Sequence, residues 1–471
     1  MAGWVEERSP GRWRLNVPSG SDDEGNRIIY RKMVDAKSKR EATKLLDLFS
    51  AEVQKGEYIE PSKLTFSRFV ERWLRDYAET NLAPKTLFRY KDILITRILP
   101  AMGHLKLEQI KPFHLMEFYK NLQEDGIRKD GKKGGLSAKT ILQHHRVISS
   151  IFSCAVEWQV VSSNPASRVK PPKVQKKQIN CYDEGQTALL LQLLEEEELK
   201  YRALVHLALF TGLRRGELMG LEWPDIDFNK NTLMVRQASQ YLPGEGIFQK
   251  APKNETSVRL LSLPKFLIDI LRQLKKEQAA YRLEKVGDAW QKDSNWIFTT
   301  WNGGPMHPDT VTSWFPKFVR ICNLKETFNA EIKRCEKKLS TEELVTLIDL
   351  KEQYLKLSND KSAASKKKLA TLENSLATLI GKDGLERIKQ NQILPPLSFH
   401  GLRHTAATML INQGLPAKSV SGRLGHANIG TTYDIYGHYL KSADKEASDR
   451  LEQVYKNMKG NGIKDVKKEQ A

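Results

Sequence analysis

The chain has 471 residues, with 76 Lys and Arg against 57 Asp and Glu, and a net charge of +19 at pH 7. A 40% hydrophobic content excludes wholesale disorder, and the length predicts about three domains at roughly 100–200 residues each. MAGWVEERSP holds no apolar signal segment, no stretch is long enough to cross a bilayer, and Cys154, Cys181, Cys322 and Cys335 show no C-x-x-C spacing. The expectation is a soluble cytoplasmic protein with a polyanionic partner, no membrane role and no disulfide framework or zinc site.

Residues 3–34 predict short strands. In Arg12 to Val17 apolar and polar side chains alternate, so one face packs and the other shows Arg12 and Arg14. Pro10-Gly11 and the run Pro18 to Gly25 supply turns. Ser38 to Gly56 reads as a helix with Ala42, Leu45, Leu46, Phe49 and Val53 on one side. A small three-stranded sheet packed by one helix follows for residues 1–60.

From Thr65 to Ala166 the pattern is helical. Phe66, Phe69, Val70, Trp73 and Leu74 begin one helix, Pro84-Lys85-Thr86 another, and Leu136 to Thr140, including Lys139, a third that runs to Trp158 before Asn164-Pro165. The Gly- and Lys-rich loop Ile127 to Gly135, with Lys132 and Lys133, is expected to track a phosphate backbone. Residues 61–180 hold 22 basic and 10 acidic residues, whereas residues 1–60 hold 11 of each. That concentration fits a DNA-gripping module as well as it fits a solvated, Lys-rich surface. Pro171 to Lys177 reads as an exposed basic linker carrying Lys173 and Lys176.

Beyond the linker, Ala203 to Glu217 predicts an apolar helix ending in T-G-L-R-R-G-E-L, and Thr232 to Ala238 and Ser257 to Leu263 read as strands. Residues 326–390 have 13 basic and 11 acidic residues. Leu344, Leu347, Leu350 and Tyr354, then Leu369, Leu372, Leu376 and Leu379, keep three- and four-residue spacings around a turn at Ser358 to Ser365. The expectation is an antiparallel helical hairpin. Its near-neutral charge argues against DNA and for another protein or a neighbouring protomer as its contact.

Four separated segments carry the chemistry: Thr211-Gly212-Leu213-Arg214-Arg215-Gly216-Glu217-Leu218; Pro252-Lys253 to Arg259, placed in a hairpin; His400-Gly401-Leu402-Arg403-His404-Thr405; and Leu424-Gly425-His426 with Tyr436-Gly437-His438 ten residues later. In order and chemistry they resemble the catalytic domain of the tyrosine recombinases, the phage-integrase family. The resemblance implies a multidomain α+β chain: an AP2-like arm-binding domain over 1–60, a helical SAM-like core-site-binding domain over 61–170, a linker over 171–180, and over 181–471 a mainly helical catalytic domain with a small antiparallel sheet and the insertion at 326–390. It also implies an integrase of a prophage or integrative conjugative element in a bacterial cell. Such an enzyme acts as a tetramer on double-stranded DNA with core-type and arm-type sites, alongside an excisionase and a host DNA-bending protein, and uses no cofactor or metal.

The chemistry makes compatible demands. A phenol with a pKa of about 10 needs help to lose its proton before attacking phosphorus. Permanently charged, fork-shaped arginines suit the oxygens of the transition state, a role given to Arg214 and Arg403. His400 and Arg403, three apart, share a helix face. Family resemblance implies Tyr436 as nucleophile, Lys253 as general acid, His426 on the scissile phosphate, His400 in proton transfer at the tyrosine, and Glu217 as an orienting residue.

Plainer readings stand beside these. Arg214 alone would pass for an ion-paired residue, and Arg215 is read as one. His400 and His404 have zinc-like spacing without a completing ligand. Lys250 rivals Lys253, and Tyr433 and Tyr439 rival Tyr436, which alone precedes Gly437-His438. The helix Ser442 to Met458 and the tail are expected to reach a neighbouring subunit. A type IB topoisomerase and a non-catalytic architectural DNA-binding protein are the competing classes.

Overall fold

The structure is a computed structural model that describes residues 3–21, 27–54, 64–175, 179–250, 258–358, 360, 362–390, 392–426, 428–430, 432–433 and 451–456. The chain divides into two compact units, Met1–Lys176 and Lys177–Ala471.

In the first unit β1 (Trp4–Ser9), β2 (Arg12–Ser21) and β3 (Arg27–Asp35) form an antiparallel sheet in the order β1-β2-β3. Period-two alternation turns Trp13, Leu15 and Val17 inward, where α1 (Lys39–Gln54) covers them with Ala42, Leu46 and Phe49. Arg12 is exposed on the other face, and Arg14 there pairs with Glu6. The strand β2 runs past Pro18, with a register shift between Pro18 and Ser21, so the expected turn begins later than the sequence suggests. The end of that turn and Gly56 lie outside the described residues.

Four longer helices follow among the described residues: α2 (Phe66–Trp73), α3 (Pro84–Ile93), α4 (Pro112–Asn121) and α5 (Ala138–Glu157). The first two run on through single π-helical turns, Leu74–Ala78 and Leu94–Ile98. The sequence reading missed α4, although Pro112 at its start carries an entry signal. Phe66, Phe69, Trp73, Ile98, Leu115, Ile151 and Phe152 fill one core, each large side chain contributing about 1.5–3 kcal/mol by burial. Lys85, Lys132, Lys133 and Lys139 are exposed, as is Lys173; Lys176 lies outside the described residues.

The second unit opens with α6 (Glu184–Leu193) and α7 (Leu199–Thr211). The expected single helix Ala203 to Glu217 is two. Gly212 adopts φ +66° and ends α7, and Arg214 then caps a separate short helix, α8 (Arg215–Met219). Leu213, Leu218 and Met219 remain buried, so the apolar pattern continues although the helix does not.

The strands β4 (Ile226–Asp227), β5 (Thr232–Val235) and β8 (Arg259–Ser262) form one antiparallel sheet, while β6 (Ala238–Leu242) and β7 (Gly246–Lys250) make a separate hairpin. The described hairpin spans 238–250; of the segment Pro252 to Arg259 that the sequence placed in a hairpin, residues 252–257 with Lys253 lie outside the described residues. Helix α9 (Lys265–Tyr281) completes this part.

Helix α10 (Pro308–Cys335) runs from the main core into the insertion, where α11 (Thr341–Ser358) and α12 (Ala363–Gln390) pack on it. The insertion exceeds the expected hairpin. Gly381, at φ +75° and ψ 162°, breaks α12, and the last turns fold back, with Lys389 reaching Glu373 at 2.7 Å and Arg387 bonding the buried Glu331 at 3.0 Å. Four helical segments enclose a core of Phe328, Leu347, Leu350, Tyr354, Leu372, Leu376, Ile380, Leu385 and Ile388. Two helices, α13 (Phe399–Asn412) and α14 (Ala417–Leu424), then return to the main body.

Candidate active site

Four stretches of the second unit converge on one cluster. Arg214 stands at the N-cap of α8, where its amide donates to Glu217 Oε2 at 2.9 Å and its Nη1 to Oε1 at 2.8 Å. Its Nη2 donates to the Gly425 carbonyl at 2.7 Å. The loop break after α7 thus does local work, since a continuous helix would leave Arg214 on α7's own face.

Glu217 is buried, 6% exposed, and holds a second guanidinium: Arg259, from β8, donates from Nη2 to Oε2 at 2.9 Å and from Nε to the Arg423 carbonyl at 2.9 Å. Burial opposes the carboxylate's charge. The hydrogen bonds and charges of Arg259 and then Arg214 outweigh it and hold the group below the usual range. Gly425 is at φ +69°, and a Cβ there would sit 2.6 Å from Arg259 Nη1. At Gly212 a Cβ would meet Leu424 Cδ2 at 2.4 Å. Glycine is required at both for the same reason, the close approach of α14 to α7 and β8.

Helix α13 supplies the other half. Ser398 caps it, accepting the Gly401 amide at 3.3 Å. His400 is exposed in the first turn. Arg403, 3% exposed, donates from Nη1 to the Gly212 carbonyl at 2.6 Å. Desolvation lowers the His400 pKa, and the charges of Arg403, Arg214 and Arg215 lower it further. His404 stacks edge to face on His400 at 4.9 Å and falls to about 4, mainly by desolvation.

His426 follows Gly425. Its Nδ1 lies 2.8 Å from the hydroxyl of the fully buried Thr432. Desolvation, then the charges of Arg403 and Arg214, with His404 and Arg259 after them, bring its pKa to about 4. Arg214 bonds the Gly425 carbonyl next to His426, and Arg403 bonds the Gly212 carbonyl two residues before Arg214, so the motifs meet in one cluster; the charges of both guanidiniums act on both His400 and His426. Both imidazoles are neutral at pH 7 beside fixed positive charge, an arrangement that receives an anion and moves protons near it.

Lys253 and Tyr436, with Gly437, His438 and Tyr439, lie outside the described residues. Tyr433 is described and 53% exposed, and Lys250 ends β7. Arg215 reaches across to Thr312 Oγ1 at 2.8 Å and pairs with Asp309. Sequence reading gave no role to Arg259 or Thr432. Arg259 meets Glu217 across 42 positions, so no local spacing links them. Thr432, six residues after His426, is a plain hydroxyl in a polar run.

Fixed cations, imidazoles with lowered pKa and a buried carboxylate that pairs with the cations suit chemistry on a phosphate ester. A family described as the phage integrase family matches residues 181–336 and 327–443, more than half of the chain, and its N-terminal SAM-like domain matches 65–123. The chain is 24% identical over 460 residues to a XerC-like tyrosine recombinase of Caldanaerobacter subterraneus subsp. tengcongensis, spanning 94% of this chain and 96% of that one. It is 23% identical over 451 residues to the ICEBs1 integrase of Bacillus subtilis, spanning 96% and 99%. Among solved structures, the Tn1549 transposon integrase in complex with a circular intermediate DNA shares the fold, with a TM-score of 0.57 and 18% identity over 83% of this chain and all of that one.

The chain belongs to the phage integrase family. It is a tyrosine recombinase, an enzyme that cleaves DNA and rejoins it at specific sites. No helix among the described residues is long and apolar enough to cross a membrane.

Proposed function

We propose that this recombinase integrates and excises a mobile element, a prophage or an integrative conjugative element, in the bacterial cytoplasm. The Tyr436 phenol attacks phosphorus, the bond to the 5′ oxygen breaks, and a 3′-phosphotyrosyl link forms. Lys253 gives the proton that the departing 5′ oxygen takes up, and His400 receives the one that the phenol loses. Arg214 and Arg403 hold the non-bridging oxygens. The Thr432 hydroxyl donates to Nδ1 of His426, which keeps the ring's proton on Nε2 for the phosphate. Glu217 acts through Arg214 and Arg259. The freed 5′ hydroxyl of a partner strand reverses the step, and two such exchanges pass through a Holliday junction.

The supporting observation is the shared field of Arg214, Arg403, His400 and His426 with Glu217 behind it. Residues 1–60 would read arm-type sites with Arg12 and Arg14. Residues 61–170 and the linker would read core sites with Lys85, Lys132, Lys133, Lys139, Lys173 and Lys176. The active form would be a tetramer on double-stranded DNA, aided by an excisionase and a host DNA-bending protein.

Tyr436→Phe is the direct test. On a nicked suicide duplex it should bind with unchanged affinity and form no covalent adduct. Wild-type adduct formation by Tyr436→Phe would overturn the assignment.

A further inference from the structure

Residues 392–398 carry the chain from the insertion back to α13, and two buried polar side chains outside the motifs grip them. Asn323 of α10 donates from Nδ2 to the Leu394 carbonyl and accepts the Leu394 amide at Oδ1, both at 2.8 Å. The Tyr182 hydroxyl donates to the Pro395 carbonyl at 2.8 Å, and the Tyr182 amide donates to Thr405 Oγ1, inside α13, at 3.0 Å. Asn323 is 9% exposed and Tyr182 2%. One turn of chain later Ser398 caps α13, His400 stands in its first turn and Arg403 in its second.

Apolar packing alone does not fix this segment. Leu394 and Leu397 are buried and decide which side faces inward, but hydrophobic burial is non-directional and tolerates sliding. On the side of the insertion, Pro396, Leu397 and Ser398 border a cavity of about 640 Å³ shared with Val319, Leu369 and Ile388, so neighbours there leave room to shift. Directional hydrogen bonds to the backbone of residues 394 and 395 set the position along the chain.

We propose that Asn323 and Tyr182 are positioning residues for strand cleavage. They hold the return segment so that His400 and Arg403 reach the phosphate that Arg214 and His426 also reach. Helix α10, which runs on into the insertion, is thereby coupled to the reacting centre through Asn323. The inference rests on the reading of His400 and Arg403 given above.

The test is single-turnover cleavage of a nicked suicide duplex at saturating full-length enzyme, with DNA affinity measured separately. Tyr182→Phe removes one oxygen and keeps the ring. It should slow covalent-complex formation about tenfold, and Asn323→Ala about a hundredfold, the scale of a misplacement of about 1 Å. DNA affinity should stay within about twofold, because the phosphate-reading charges are untouched. A purely structural role would lower thermal stability and leave the saturating rate per folded molecule unchanged. Wild-type saturating rates in both variants, or losses confined to DNA affinity, would overturn the proposal. Should Asn323→Ala fail to fold, Tyr182→Phe alone decides. His400→Ala run alongside separates the two failures: normal cleavage by His400→Ala overturns the site reading, whereas slow His400→Ala beside unimpaired Tyr182→Phe and Asn323→Ala overturns the positioning role.

Discussion

At Glu217 one buried carboxylate pairs with two guanidiniums, Arg214 and the buried Arg259, whose side chain is 8% exposed. Glu217→Gln should therefore destabilise the catalytic unit by about 3–5 kcal/mol, read as a fall in denaturant midpoint, the usual cost of removing the negative member of a buried ion pair. An unchanged midpoint would show that the buried ion pair adds little to stability. The histidines give a pH signature. His404 and His426 titrate at about 4 when folded and at about 6.5 when unfolded. Below about 6.5 the unfolded chain binds protons that the folded chain refuses, so stability is full above that value and drains away as pH falls toward 4. Thermal melts from pH 7.5 to 4.5 should show Tm falling across this window, and His404→Gln should flatten the slope. Equal slopes in both proteins would exclude His404 as a contributor. The motif residues Arg214, His400, Arg403 and His426 were legible in the sequence because each sits in a short box. Arg259 and Thr432 were not, because their partners are fixed only by tertiary contact.

Among the elements, the passage from α7 to α8 decides where Arg214 points. Apolar periodicity runs through Leu209, Leu213 and Leu218 without interruption, which is why the sequence suggested one helix. The physical stop is Gly212 in the left-handed region, followed by an arginine whose amide needs the Glu217 carboxylate. Gly212→Ala and Gly425→Ala each force a Cβ into Leu424 or Arg259 at positive φ. Each should cost about 1–3 kcal/mol of stability. Gly425→Ala should slow cleavage more, since it displaces Arg259 and the carbonyl that Arg214 grips; equal rates for the two variants would contradict that ranking. The leucine spacing of the insertion correctly gave α11 and the first part of α12. It missed the continuous α10, because that helix begins in the main core, and the reversal at Gly381, because apolar residues continue on both sides of it, from Leu379 and Ile380 to Leu385 and Ile388.

Taken whole, the second unit is a recombinase body with a four-segment helical bundle inserted between β8 and α13. The bundle has its own core, so it folds around Phe328, Leu376 and Ile388 while the main core closes around Phe315, Phe399 and Leu402. Glu331 and Arg387 touch at the level where the bundle leaves that body, which makes them natural cut points. Replacing residues 332–386 with a short Gly-Ser loop keeps Asn323 and should preserve cleavage of a half-site while altering recombination between paired sites. Loss of half-site cleavage would show that the bundle serves chemistry directly. The central claim is that Tyr436 displaces the 5′ oxygen within the field of Arg214, Arg403, His400 and His426. Trapping the covalent complex on a nicked duplex, digesting it and mapping the nucleotide-linked peptide by mass spectrometry tests this most directly. The linkage should fall on Tyr436; a linkage on Tyr433 or Tyr439, or a wild-type enzyme that cuts without any covalent link, would contradict it.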